Sequence, residues 1–278
     1  MSFDQFLTIL LSPPEAALNI FNVISSLGMI VIMFGLGLKI NFTEIKKNFI
    51  NPRDLLTGLF FQIILIPVIA IVFVVTTNFP PNIKIAILII ACMPSAATSN
   101  FITSKINGDT SLSITLTSIC TFLTIYTMPF FLKLFSFITK EDFSIFNVDL
   151  TFIVIKVFTI ITLPIIIGLL LKHYVPQIKA IEKNIDKISF VFFVIIIKFA
   201  IYLSAINIQD PIQNLIAVFT FMTIIVFLIL VITKLMNVSF HRKKALVAEA
   251  LLQNNILGFV VVFSITGTGA NLIATLAI

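Results

Sequence analysis

Glu249 is the residue on which chemistry in this sequence would turn. It stands in the apolar segment AEALLQNNILGF, where Gln253, Asn254 and Asn255 add three amides to the same run. A second polar interruption, ACMPSAATSNFITS, places Ser95, Thr98, Ser99, Asn100, Thr103 and Ser104 directly after Pro94. Proline removes a backbone donor and breaks a helix, which frees carbonyls and N–H groups for a ligand. Ser111, Ser113, Thr115, Thr117, Ser118 and Thr121 follow, with Ser113 and Thr117 four apart and therefore on one helix face. Gln62 is an isolated amide five residues before Pro67. One carboxylate, amides, hydroxyls and free carbonyls make a hard oxygen site, which suits Na+ better than a soft metal. Each hydroxyl taken singly can equally bond its own helix backbone. An enzyme using Glu249 as a base is the rival reading, but no paired carboxylate, nucleophile–base pair or metal-ligand motif accompanies it. Cys92 and Cys120 lie in apolar runs with no metal-binding spacing and read as buried structural thiols.

The elements that carry these residues are membrane helices. Hydrophobic residues make up 59% of the 278-residue chain and charged residues 11%, too few for the surface of a soluble domain. Apolar runs of about 20 residues recur, long enough to cross a hydrocarbon core of roughly 30 Å as helix. Stretches such as IAVFTFMTIIVFLILVI are apolar on every face, which excludes the alternating strands of a membrane barrel. Spans are expected near 17–40, 54–76, 83–104, 110–137, 149–173, 187–208, 213–236 and 242–264. A ninth begins near Gly267 and stops at Ile278, so the last segment reads as truncated or re-entrant. The leader breaks at Pro13 and Pro14 and reads as an interfacial stub rather than a cleaved signal.

Lys and Arg fix an expected orientation. With strict alternation of eight spans, thirteen of them collect on one side and three on the other, which places the N-terminus outside. The net charge of +6 is thus explained by topology rather than by nucleic acid. Lys156 and Lys198 fall within spans: the first can snorkel or point inward, and the second either faces an aqueous cavity or pairs with an acid such as Glu249. Spans 3 and 8 are both polar-centred and broken. Their odd offset of five reverses the second copy, as an inverted repeat with a midplane site requires.

The same residues resemble the bile acid:sodium symporter family. FGLGLKINFTEIKK followed by NPRDLLTGLFFQIILIPVIA is similar to that family's first shared helix, basic loop and Gln-containing next helix. MPSAATSNFITSKINGDTSLSITLTS resembles its first crossing helix and the hydroxyl-rich helix after it, with Ser95 and Ala96 where glycines are common. AEALLQNNILG resembles the second crossing helix, and the likeness runs from about Ile30 to Phe263.

The apolar runs give an all-α membrane protein, a polytopic helical bundle of about nine segments with the last one truncated, and the resemblance implies an inverted repeat with two discontinuous crossing helices in a single transporter domain. Its core would comprise spans near 54–137 and 213–278, and its panel those near 17–40 and 149–208. It implies one sodium ion held by Ser99, Asn100, Ser113, Thr117 and Glu249. A second would be held by Gln62, Glu249 and Gln253 with the carbonyls of Ala250 and Leu252. A small or amphipathic organic anion, a carboxylate or sulfate, would bind near Thr98 and Asn254; independently of the resemblance, the mid-span position of Lys198 makes it a candidate to attract that anion if it faces a cavity. The expected activity is sodium-coupled symport by alternating access in the plasma (inner) membrane, with no organic cofactor and no obligate protein partner. The alternative is a proton-coupled or uncoupled efflux or uniport carrier, similar to arsenite or auxin exporters.

Overall fold

A computed structural model of the chain describes residues 15–40, 42–50, 52–139, 155, 158–175, 178–207, 211–254 and 257–258. The described residues are helical, and their one β-type pairing is a single bridge between Ser95 and Gln253. In chain order the helices are α1 (Glu15–Lys39), α2 (Phe42–Ile50), α3 (Pro52–Phe60), α4 (Ile66–Thr76), α5 (Pro81–Cys92), α6 (Ala97–Lys105), α7 (Thr110–Thr139), α8 (Leu163–Tyr174), α9 (Lys179–Asn207), α10 (Pro211–Leu235) and α11 (Phe240–Leu251). Lys156, Asn255 and the expected ninth segment lie outside the described residues.

Among the described residues four stretches are long and apolar enough to cross a membrane: Asn19–Lys39, Pro52–Thr76, Thr110–Phe135 and Ile212–Leu235. Shorter apolar helices occupy Ile83–Cys92, Phe158–Tyr174 and Lys187–Ile196. Proline explains much of the irregularity. Pro67 and Pro164 lack an N–H and crowd the carbonyl one turn back, and a π turn precedes each, at Phe61–Leu65 and Phe158–Thr162. Pro94 ends α5, so the expected span 83–104 is two half-helices, α5 and α6.

Two packing groups stand out. In the first, α1 packs against α8 and α9. The α1–α8 contact is nearly backbone to backbone: a Cβ at Gly37 would collide with the Ile165 carbonyl, and one at Gly168 with that of Phe34. Such close approach is how helices associate where lipid offers no hydrophobic driving force. The α1–α9 contact uses side chains, with Gly28 against Phe192 and Ile196 and the Phe21 and Phe199 rings stacked at 5.4 Å.

The second group surrounds α5, whose residues from Ile85 to Cys92 are all buried. Its sequence is apolar on all sides because every side meets protein. By contrast α10 exposes Phe219, Phe227 and Leu235, as a lipid-facing helix should. At one end of this group the connections are tied by polar contacts. Arg242 donates to Asp54 at 2.7 Å and Asp109 at 3.2 Å, the Arg53 guanidinium donates to the Met236 carbonyl at 2.6 Å, and the Asp109 N–H donates to the His241 carbonyl at 3.0 Å. Asn107 and Asn237 end α6 and α10 with φ of 54° and 52°, the left-handed closure that asparagine tolerates.

Candidate cation site

The breaks in span 3 and in the segment after α11 meet each other. The Ala96 N–H donates to the Leu252 carbonyl at 2.7 Å, and the Asn254 N–H donates to the Pro94 carbonyl at 2.8 Å. Two helix interruptions thereby satisfy one another's backbone, the condition under which non-helical chain is tolerated at membrane depth. The unwinding is achieved without glycine at Ser95 or Ala96. The bridge between Ser95 and Gln253 supplies the needed partner groups.

Glu249 lies one turn before this crossing and is 1% exposed. Its Oε1 accepts from Ser99 Oγ and Ser113 Oγ, each at 2.5 Å, and its Oε2 accepts from Ser95 Oγ and from Thr117 Oγ1 at 3.0 Å. Asn100 Oδ1 joins the cluster, 2.8 Å from Ser113 Oγ and 3.3 Å from Thr117 Oγ1. The side chains thus come from α6, α7, α11 and the break between α5 and α6.

Counting hydrogens shows what this cluster lacks. Ser99 Oγ is also 2.7 Å from the Ala96 carbonyl, and Thr117 Oγ1 is 3.1 Å from that of Ser113. Ser99, Ser113 and Thr117 therefore each face at least two acceptors while owning one hydrogen. The surplus is of oxygen lone pairs around a carboxyl. Among the described residues no salt bridge reaches Glu249, and no group of three His, Cys, Asp or Glu could hold a metal ion. One carboxylate among neutral oxygens balances a monovalent hard cation better than a divalent or soft one.

A second set of amides adjoins the first. Gln62, aimed inward by the π turn, donates from Nε2 to the Glu249 backbone carbonyl at 2.7 Å. Gln253 Nε2 lies 3.2 Å from Gln62 Oε1 and 3.1 Å from the Ala250 carbonyl, and Gln253 Oε1 is buried without a hydrogen-bond partner. Such an orphaned oxygen costs about 1–3 kcal/mol unless something satisfies it. The Leu252 carbonyl already accepts from Ala96, and a carbonyl keeps a second lone pair.

The structure also separates hydroxyls that the sequence could not. Ser118 and Thr121 bond the carbonyls of Ile114 and Thr117 in their own helix. Thr115 bonds the Ser111 carbonyl and accepts from Asn48, which pins α2 to α7. Ser95, absent from the site expected by resemblance, belongs to the carboxylate cluster; its signal was its place directly after Pro94.

The three residues expected near an anion stand in different settings. Asn254 is 6% exposed, and its Oδ1 accepts from the Leu257 N–H, a capping role. Thr98 is exposed beside the cluster. Lys198 does not pair with Glu249, whose carboxylate partners are the hydroxyls. It is exposed and two residues on from Ile196, so it points to the side of α9 away from α1. The lysine near the site is instead Lys39. With Gly35, Asn100, Phe101, Ile114 and Ser189 it lines a cavity of about 270 Å³ between α1, α9, α6 and α7. Ser189 Oγ is buried there without a partner.

The sequence is similar to proteins of one transporter family. The profile of the Sodium Bile acid symporter family matches residues 26–211. An uncharacterized sodium-dependent transporter of Bacillus subtilis (strain 168) is 25% identical over 232 residues, 82% of this chain and 70% of the relative. The hepatic sodium/bile acid cotransporter of Rattus norvegicus is 30% identical over 161 residues, 56% of this chain and 44% of the relative. The sodium-dependent organic anion transporter of Homo sapiens is 26% identical over 57% of this chain and 41% of the relative. The matches thus span less than half the length of the two animal proteins.

Proposed function

The chain belongs to the sodium bile acid symporter family, a family of membrane transporters rather than enzymes, and from that premise we propose that it is a sodium-coupled symporter of a small organic anion. The observation that carries this reading is the buried Glu249 carboxyl with more oxygen acceptors around it than hydroxyl hydrogens. In this reading one Na+ takes Glu249, Ser99, Asn100, Ser113 and Thr117 as ligands, with Ser95 completing the shell. A second takes Gln62, Gln253, Glu249 and the carbonyls of Ala250 and Leu252, and the unpartnered Gln253 Oε1 supports that assignment.

Coupling follows from where the ligands sit. A cation that draws oxygens from α6, α7 and α11 holds the two breaks in register, and the same register sets Thr98 and Asn254 beside the crossing. Asn100 belongs to both the cluster and the cavity that contains Lys39, so cation and anion sites share a residue. The anion's charge is met there by Lys39. The group of α1, α8 and α9 then acts as the panel and the group around α5 as the core. Rocking between them opens the cavity to either side, in the plasma (inner) membrane with the N-terminus outside.

The test is uptake into proteoliposomes of a panel of labelled carboxylates and sulfates. An inward Na+ gradient should drive accumulation of at least one of them, and an equal K+ gradient should not. Accumulation driven by a proton gradient with Na+ absent would overturn the sodium reading.

A further inference from the structure

A second cavity, of about 420 Å³, lies on the outer side of α11, away from the carboxylate cluster. Its walls are apolar side chains of α6 and the residue that caps it, α10 and α11, among them Ile102, Ile106, Leu230, Val247 and Leu251, while Lys243 and Lys244 also line it. Ile106, Leu230 and Leu251 are 40%, 43% and 38% exposed, so the groove opens onto the surface of the bundle.

The charge of these lysines is not neutralised from within. The acids of this end, Asp54 and Asp109, are both engaged by Arg242, and among the described residues no acid pairs with either lysine. Lys244 is held in place by donating to the Ile106 carbonyl at 2.6 Å and by resting 4.5 Å from the centre of the Phe240 ring. An ammonium has three donors, so Lys244 retains two for a ligand. From Lys244 to Leu251 the helix rises about 10 Å, from a charged end to an apolar one.

We propose that this groove binds an anionic phospholipid, with its phosphate on Lys243 and Lys244 and an acyl chain along Leu230, Val247 and Leu251. The vertical order of charge and apolar surface matches that of a lipid in one leaflet, and basic rims between membrane helices recognise anionic headgroups. The occupant has a structural consequence. Ala248, Leu251 and Leu252 also line the groove and flank Glu249 and the helix break, so a bound chain supports the crossing from behind.

The experiment uses the full chain in mild detergent. Phosphatidylglycerol and phosphatidylcholine with identical oleoyl chains compete for it, and retained lipid is read by native mass spectrometry. Each lysine at a membrane surface favours an anionic lipid about fivefold, so phosphatidylglycerol should win by roughly twenty-five-fold. Lys243→Ala with Lys244→Ala should bring the two lipids to parity. Lys243→Gln alone, which leaves the Lys244–Ile106 bond intact, should cost about fivefold. Leu251→Trp, which fills the groove, should reduce retention of both lipids. Parity in the unaltered protein, a preference that survives loss of the lysines, or retention indifferent to Leu251→Trp would each overturn the proposal. So would a bile salt that displaces phosphatidylglycerol from the unaltered groove at lower concentration, since the groove would then be a vestibule for amphipathic anions.

Discussion

Glu249→Gln abolishes sodium-driven uptake while leaving the protein folded; this is the largest effect the geometry implies. The substitution keeps the side chain's volume and one carbonyl oxygen for the surrounding hydroxyls, so the crossing retains most of its contacts. What disappears is the charge. Removing one partner of a buried ion pair typically costs about 3–5 kcal/mol, so sodium affinity should fall on the order of a hundredfold or more. Both proposed ions share this carboxylate, so increasing Na+ within a practical range should not restore transport. Uptake against Na+ concentration is the measurement. A Glu249→Gln variant with ordinary sodium dependence would remove the carboxylate from the mechanism.

The second large effect is on architecture. Gly37→Val places a branched side chain where the Ile165 backbone carbonyl already lies, and backbone cannot step aside as a side chain can. Overpacking of this kind costs about 1–3 kcal/mol in forgiving cores, and the α1–α8 contact should sit at or above the top of that range. The variant should show a lowered thermal unfolding midpoint and little uptake. Gly28→Ala provides the contrast, because the nearest atoms a Cβ there would meet are side-chain ends, Ile196 Cδ1 at 2.8 Å and Phe192 Cδ1 at 2.9 Å, rather than backbone. Thermal unfolding of both in the same detergent compares them. Equal stability of the two variants would mean that α1 and α8 do not associate through Gly37 as described.

The polar centre of this protein was legible in sequence because membrane helices make polar residues conspicuous. Pro94 marked a break, Glu249 stood out as an acid within an apolar run, and the spacing of Ser113 and Thr117 placed both on one face. The structure brings all four to a single crossing. Ser95 was harder to place, since a residue inside an unwound segment has no periodicity from which to infer its direction. Asn48 escaped for a related reason: it lies in the charged helix α2, and its bonds to Ser111 and Thr115 span more than sixty residues.

Lys198 shows the opposite difficulty. A lysine in an apolar run is expected to face a cavity, but hydropathy does not say which side of a helix that is. The packing of Ile196 on α1 turns Lys198 to the other side, and Lys39, in the last turn of α1, lines the cavity. The break in span 3, by contrast, was legible. The run 83–104 has the length of one crossing but folds as two half-helices, because Pro94 divides it and the buried α5 needs no polar face.

The central claim is that Glu249 and its surplus oxygens hold sodium, and thermal unfolding of the purified chain in NaCl against KCl at equal ionic strength tests it most directly. A ligand that binds only the folded state stabilises it in proportion to the logarithm of its concentration. The midpoint should therefore rise steadily with NaCl, stay flat with KCl, and lose its dependence on NaCl in Glu249→Gln. Identical melting of the unaltered protein in the two salts would contradict the assignment.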